Sequence, residues 1–270
     1  MTNFPAKPVC KTCGTQYPPG QKLPEICTIC NDDRQYITAE GQVWVELDDV
    51  SKQYCTKITQ VGKNLYSLKM VPDFAITQRA FLVVSPNGNI LWDCIPLLDE
   101  ATIAFINSKG GLKAIAFSHP HFYSCMNVWA ETFNCPVYIH ERDAESVMYK
   151  SDRLKFWQGN SLPVLDFELV NIGGHFPGSS VLRVPALSDK GVILSGDTLY
   201  ISRSGRHIAV MHSFPNLILL SKQEFLSVFE KAKNLEFDTM YGAFAGQDLV
   251  GNAREVFDSS MKRYIESYGI

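Results

Sequence analysis

Apolar and polar positions along the chain divide it at about residue 40. Before that point there is no periodic run long enough for a strand or helix. After it, short alternating and continuous apolar segments recur to the end. Gln42–Glu46 alternates as a strand. Ala80–Val84 and Ile90–Trp92 flank the turn sequence Ser85-Pro-Asn-Gly-Asn89 and predict a β-hairpin. A helix is expected over Asp99–Ser108, a buried strand at Ala114–Phe117, a helix at Asn127–Phe133 and a strand at Val137–Ile139. Further strands are expected at Ser179–Pro185 and Val192–Leu194. Ser221-Lys-Gln-Glu224 has the spacing of a capping box, opening a helix whose apolar face is Phe225, Val228, Phe229 and Ala232. A last helix is expected over Asn252–Tyr268. Strands interleaved with helices predict a layered α/β (α+β) domain over 41–270, with a separate small module over 1–40.

Length and composition fit that division. A chain of 270 residues suits one domain of ordinary size plus a small one. With 46% hydrophobic and 20% charged residues, the balance is that of a globular protein. The net charge of −3 and the lack of a basic block argue against a nucleic-acid partner. No apolar run approaches the ~20 residues of a membrane span, and Met1–Lys7 carries no apolar signal-peptide core, so no membrane partner and a cytoplasmic location are expected. Composition leaves the oligomeric state open.

The front module carries the first chemical signal. Cys10-Lys-Thr-Cys13 and Cys27-Thr-Ile-Cys30 are two Cys-x-x-Cys turns, with thirteen residues between Cys13 and Cys27. Two such turns complete a tetrahedral thiolate site. Gly14 permits the turn after the first pair, and the Pro- and Gly-rich stretch Tyr17–Pro24 is too irregular for a core, so metal would supply most of the folding energy. Structural zinc is favoured over a rubredoxin-like iron centre for electron transfer, because nothing nearby suggests an electron partner; a pair of disulfides is a third reading. Cys55, Cys94, Cys125 and Cys135 stand singly and read as reduced core residues.

The second signal comes from the histidines, of which there are six. His119 and His121 follow the strand at 114–117. On an extended segment they would share a face about 7 Å apart along the chain. His175 lies in the glycine-rich turn Gly173-Gly-His-Phe-Pro-Gly178, and Asp197 follows the strand at 192–194. The order of Asn87–Asp93, Ser118-His-Pro-His121, Gly174-His-Phe-Pro-Gly-Ser179 and Ser195-Gly-Asp-Thr198 over about residues 70–260 resembles the metallo-β-lactamase superfamily. With the front cysteines, the chain resembles a divergent branch of it. The resemblance implies a four-layer αββα sandwich behind a zinc knuckle, with His119, His121 and His175 as ligands of one ion, zinc or iron. Tyr123 and Ser124 stand where the family has Asp and His, and Gly242–Phe244 holds no histidine where the family has its last ligand. The implied site is therefore reduced to a single metal. Asp197 is then either a fourth ligand or the general base, and Tyr123 a candidate oxyanion donor.

The implied function is hydrolysis of a small-molecule ester, thioester or amide-like substrate. The alternatives are a degenerate metal-binding or interaction protein on the same fold, and an iron-dependent oxidoreductase. Other candidates read more plainly. His140 is expected as a satisfied surface histidine, Arg203 and Arg206 as solvated cations, Cys125 as core and Trp129, Trp157 and Phe176 as core or pocket wall. Asp93 is expected to orient a loop or a ligating histidine, and His212 is a candidate to enter the site.

Overall fold

The computed structural model describes residues 7–270. The stretch Met1–Lys7, read above for a signal segment, lies outside the described residues except for Lys7. Strand β1 (Pro8–Cys10) pairs antiparallel with β2 (Trp44–Glu46), so the front module closes its sheet with a strand beyond residue 40. Helix α1 (Leu47–Gln53) leads into a seven-stranded sheet in chain order: β3 (Cys55–Gly62), β4 (Leu65–Val71), β5 (Arg79–Val83), β6 (Ile90–Trp92), β7 (Ala114–Ala116), β8 (Val137–His140) and β9 (Leu154–Trp157). Pairing is antiparallel from β3 to β6 and parallel from β6 to β9, with α2 (Glu100–Ser108) and α3 (Met126–Phe133) as crossovers.

The second sheet has β10 (Ser161–Val164), β11 (Phe167–Asn171), β12 (Ser180–Val184) and β13 (Val192–Leu194) in a meander. Two small hairpins follow, β14 (Tyr200–Ile201) with β15 (Ile208–Ala209) and β16 (Met211–Ser213) with β17 (Ile218–Leu219). After α4 (Lys222–Ala232), β18 (Thr239–Tyr241) joins β13 in parallel, β19 (Asp248–Leu249) closes the edge, and α5 (Ala253–Tyr268) ends the chain.

The side-chain alternation of strands builds the layers. Phe81 and Val83 of β5 face Leu182, Val184 and Leu194 of the other sheet in a shared inner core. Ala80 and Leu82 point the opposite way, against Ile106, Trp129 and Ala130 of α2 and α3. In the second sheet Val170, Val181, Ile193 and Met240 face outward onto Phe225 and Val228 of α4 and Phe257 and Met261 of α5. The result is the expected αββα sandwich. The capping box at Ser221 and Glu224 is present in both directions. Among the described residues, no helix is long and apolar enough to cross a membrane.

Some expectations are corrected. The hydrophobic pattern predicted nothing between 47 and 79, where β3 and β4 lie. β3 is an edge strand with no buried position, and its Thr, Lys and Gln residues leave only Ile58 and Val61 to mark an apolar face. Cys55 on that edge is exposed rather than core, whereas Cys94, Cys125 and Cys135 are buried thiols. His140 is buried, with Nε2 on the Gly159 carbonyl and Nδ1 accepting from the Arg142 N–H.

One buried cation ties the two sheets together. Arg79 of β5 lies over the Phe81 ring and donates to the carbonyls of Gly242 and Gln247 and to Asp248 of β19. Its loss would leave the Gly242 carbonyl and the partly exposed Asp248 carboxylate without this donor, and the Gln247 carbonyl with the Gly242 N–H alone. Arg79→Ala is expected to destabilise the fold by roughly 3 kcal/mol. Urea unfolding checks this; an unchanged midpoint contradicts the role given to Arg79.

Candidate metal centres

The front module closes around Cys10, Cys13, Cys27 and Cys30, all buried. Both turns use the same bond: the Gly14 N–H donates to the Cys10 carbonyl at 2.8 Å and the Asn31 N–H to the Cys27 carbonyl at 2.9 Å. Gly14 has φ +80°, a conformation that L side chains rarely adopt. The Cys10–Cys30 and Cys13–Cys27 sulfurs are each 3.7 Å apart. A tetrahedron with bonds of about 2.3 Å has edges of roughly 3.7–3.8 Å, so the spacing fits an ion at its centre. Burial pushes the Cys13 thiol upward. A divalent cation is what would let four adjacent sulfurs ionise together.

The second centre lies on the rim where the sheets meet. His119 and His121 follow β7, His175 sits between β11 and β12, and Asp197 follows β13. One ligand atom from each lies within 4.8 Å of the others, and all four residues are buried. The His-x-His segment is not extended throughout. His119 has extended backbone, but Pro120–Phe122 forms a 3-10 turn, which brings the two rings to 5.0 Å between centroids. His121 Nδ1 is 3.3 Å from His175 Nε2, and His119 Nε2 is 3.6 Å from Asp197 Oδ2. Bonds of about 2.0–2.1 Å give tetrahedral edges of roughly 3.3–3.4 Å, so the nitrogen pair fits a shared ion and the carboxylate lies slightly wider. His119 Nε2, His121 Nε2 and Asp197 Oδ1 are buried without any hydrogen-bond partner. Such orphans are costly unless something else satisfies them.

Neighbours fix the rings. Asp93, buried and at φ +60°, accepts from the Ser118 N–H at 2.8 Å and from the Ser118 hydroxyl at 2.9 Å. With its proton given to Asp93, Ser118 Oγ is left to accept from His119 Nδ1 at 2.9 Å, which leaves His119 Nε2 as a free lone pair. The His212 carbonyl accepts from His175 Nδ1 at 2.8 Å, freeing His175 Nε2 in the same way. Asp93 thus orients the candidate ligand His119 through Ser118, and His212 meets the centre with its backbone carbonyl rather than its ring. Gly196, at φ +57°, lets the loop after β13 approach the loop after β7, since a Cβ there would overlap the Ser118 side chain.

Burial pushes His119 and His121 well below the ordinary histidine range and lowers His175 to about 4, so all three imidazoles are neutral donors near pH 7. The same burial raises Asp197 to about 7. A bound cation would oppose that shift and favour the carboxylate.

The remaining candidates lie elsewhere. Tyr123 is buried, with its ring against Phe117 in the core beneath α3, and it is not among the residues lining the cleft. Ser124 Oγ accepts from Gln78 Nε2. Phe244 occupies the wall where the family's last histidine was expected, packed against Phe122 and Tyr200. Cys125, Trp129 and Trp157 are core, and Arg203 and Arg206 are exposed. His121, His175 and Asp197 face a cleft of about 450 Å³. Its walls include the aromatic rings of Tyr200, Phe214 and Phe244, and also Thr12, Arg34 and Tyr36 of the cysteine module. The sequence pattern gave no sign of that last contribution, because a half-buried arginine after a metal knuckle carries no signature.

A third buried carboxylate holds the His175 turn. Asp143 accepts from the Gly178 N–H at 2.7 Å, and burial raises it from 3.8 to about 7. The folded chain therefore holds this proton more tightly than the unfolded chain does. Its contribution to stability is full below the unfolded value and is lost as pH rises from about 4 to about 7. Asp143→Asn keeps the acceptor and cannot ionise. Its stability is expected to fall less than the parent's between about pH 4 and about pH 8, measured by urea unfolding. Parallel pH profiles contradict this.

Comparison with known proteins agrees with the geometry. The family model described as the metallo-beta-lactamase superfamily matches residues 76–243. The uncharacterized protein YmaE of Bacillus subtilis (strain 168) is 40% identical over 265 residues, covering 96% of each chain. Among solved structures, a B3 metallo-beta-lactamase with an active-site glutamic acid superposes with a TM-score of 0.54 at 15% identity, covering 88% of this chain and 98% of the other. The class B3 di-zinc metallo-beta-lactamase LRA-12, from an Alaskan soil metagenome, gives 0.52 at 14%, covering 81% and 95%. With the matched segment spanning both sheets and all four residues of the histidine centre, the chain belongs to the metallo-beta-lactamase superfamily.

Proposed function

We propose that this protein is a single-metal hydrolase of a small ester, thioester or amide-like substrate, with zinc or iron in the histidine centre and structural zinc in the cysteine module. One observation carries the reading: three neutral imidazoles and one carboxylate converge within 4.8 Å at the edge of an open cleft. A divalent ion there would lower the pKa of a coordinated water towards ~7 and polarise a substrate carbonyl. The chain's residues divide the remaining work. His119, His121 and His175 would hold the ion, with the tautomer of His119 set by Ser118 and that of His175 by the His212 carbonyl. The aromatic wall of Tyr200, Phe214 and Phe244 excludes water and takes the apolar body of the substrate. Asp197 directs Oδ2 towards His119 and leaves Oδ1 unpartnered, so it has an oxygen with which to accept a proton from the attacking water. Tyr123 has no part in this scheme, given its place in the core.

The single-metal reading is supported by the donor set. Among the described residues, the two groups able to hold an ion are the four cysteines and the His–Asp set, and Tyr123, Ser124 and Phe244 add no ligand beside the latter. A second reading, a metal-binding protein without turnover, draws on the same fact, since Asp197 is then the one candidate base.

Metal analysis of protein purified without chelator is expected to give two ions per chain, one lost in a His119→Ala variant. Three ions would contradict the single-metal centre. Asp197→Asn is expected to keep the histidine-centre ion and lower turnover by ~10²-fold or more, the scale of general-base catalysis. Loss of the ion instead would make Asp197 a ligand. No turnover by the unmutated protein on an ester, thioester and lactam panel would favour the non-catalytic reading.

A further inference from the structure

The cysteine module does more than lie beside the cleft. Cys30 is followed by Asn31-Asp-Asp-Arg34-Gln35, and this short segment grips His175 from two sides. On one side Arg34 Nε donates to the His175 carbonyl at 2.6 Å, while the guanidinium lies 4.4 Å over the neighbouring Phe176 ring. Arg34 is itself held, because Nη1 bonds both oxygens of Asp32 at 2.8 and 2.9 Å. On the other side Asp33 pairs with His212 Nε2 at 2.8 Å, and the His212 carbonyl is the acceptor that sets the His175 tautomer. Asn216 Nδ2 then donates to the carbonyls of Asp33 and Gln35, locking the segment to the β16–β17 hairpin.

Hydrogen bonds within the His175 turn join the Gly173 N–H to the Ser179 carbonyl, the Phe176 N–H to Ser179 Oγ and Asn171 Nδ2 to the Pro177 carbonyl, but none of these reaches the His175 carbonyl, which Arg34 holds. The turn's own sequence begins with two glycines at positive φ, Gly173 and Gly174, a conformation that L side chains rarely adopt. Asp143 anchors its far end at Gly178, and Arg34 anchors it at His175 itself. The module that supplies Arg34 has a small core of its own, built on the four cysteines with Tyr17 and Ile29. Too little apolar surface is buried there to fix the segment after Cys30 without the ion.

We propose that Arg34 is a positioning residue of the histidine centre, and that metal in the cysteine module, by fixing Asp32–Gln35, tightens metal binding at His119, His121 and His175. This rests on the reading of that set as a metal centre. The coupling is reciprocal by linkage: whatever the cysteine ion adds to affinity at the histidine centre, the histidine ion adds to retention of the cysteine ion.

The test uses the full chain with zinc in the cysteine module, and Co²⁺ titrated into the histidine centre against a chromophoric chelator. The visible Co²⁺ bands report coordination geometry independently of any activity. Arg34→Ala is expected to weaken Co²⁺ by ~10- to 100-fold and alter those bands, with zinc content and melting temperature close to the parent's. Arg34→Lys, which keeps the charge without the planar fork, is expected to restore only part of the affinity. In the unmutated protein, Co²⁺ in the histidine centre is expected to slow zinc extraction from the cysteines by a chelator, and this measurement stands even if Arg34→Ala does not fold. Parental affinity and bands in Arg34→Ala overturn the positioning role. Zinc extraction indifferent to Co²⁺ overturns the coupling. An unmutated protein that takes up zinc at the cysteines but no Co²⁺ at the histidines overturns the metal-centre reading, and the inference with it.

Discussion

Burying several candidate metal-ligand side chains, each with a polar atom turned toward the others, sets the terms for the rest of the structure. His119, His121, His175 and Asp197 are all withdrawn from water, and the free ring nitrogens and carboxylate oxygen among them find no protein donor or acceptor. Removing such atoms from water costs several kcal/mol in total unless an ion or water compensates. The fold tolerates that cost because each of these residues stands on a loop beside a strand end. Phe117, Ser118 and His119 continue β7, Gly196 and Asp197 follow β13, and the Ser118 carbonyl accepts from the Ser180 N–H at 2.8 Å at the start of β12. The two sheets are thus joined where these side chains meet.

The tautomers show how far this preparation goes. A neutral imidazole can bind an ion through one nitrogen only if the other carries the proton. Ser118, relayed from Asp93, supplies the acceptor for His119, and the His212 carbonyl supplies it for His175. The same burial that makes these rings poor bases keeps them neutral and available as ligands at ordinary pH. Electrostatics and hydrogen bonding therefore favour the same state.

The cysteine module is integrated rather than appended. Val9 of β1 joins the core beneath the first sheet, Ile76 and Met148 of the larger domain pack against the cysteine cluster, and the Gln16 N–H donates to the Ser124 carbonyl. A module this small has little core of its own, so docking stabilises it and gives it a working surface in return. Thr12, Arg34 and Tyr36 form a wall of the cleft that the sandwich alone would leave open.

By itself the sequence determined the elements whose signals are local. Two Cys-x-x-Cys turns, the capping box at Ser221, the strand and hairpin patterns around Phe81 and Ile90, and the order of the histidine and aspartate motifs were all legible, since each depends on residues a few positions apart. Tertiary structure decided what distance along the chain conceals. Arg34 reaches a carbonyl 141 residues away and Asp33 a ring 179 residues away, and no local pattern encodes such pairs. Periodicity gives the face on which a side chain lies but not what covers that face. Cys55 was therefore expected in the core and stands exposed on an edge, while His140, expected at the surface, is buried. Tyr123 shows the same limit within a motif: its place next to the ligands in the chain suggested the cleft, but the 3-10 turn after His119 rotates its ring into the core against Phe117.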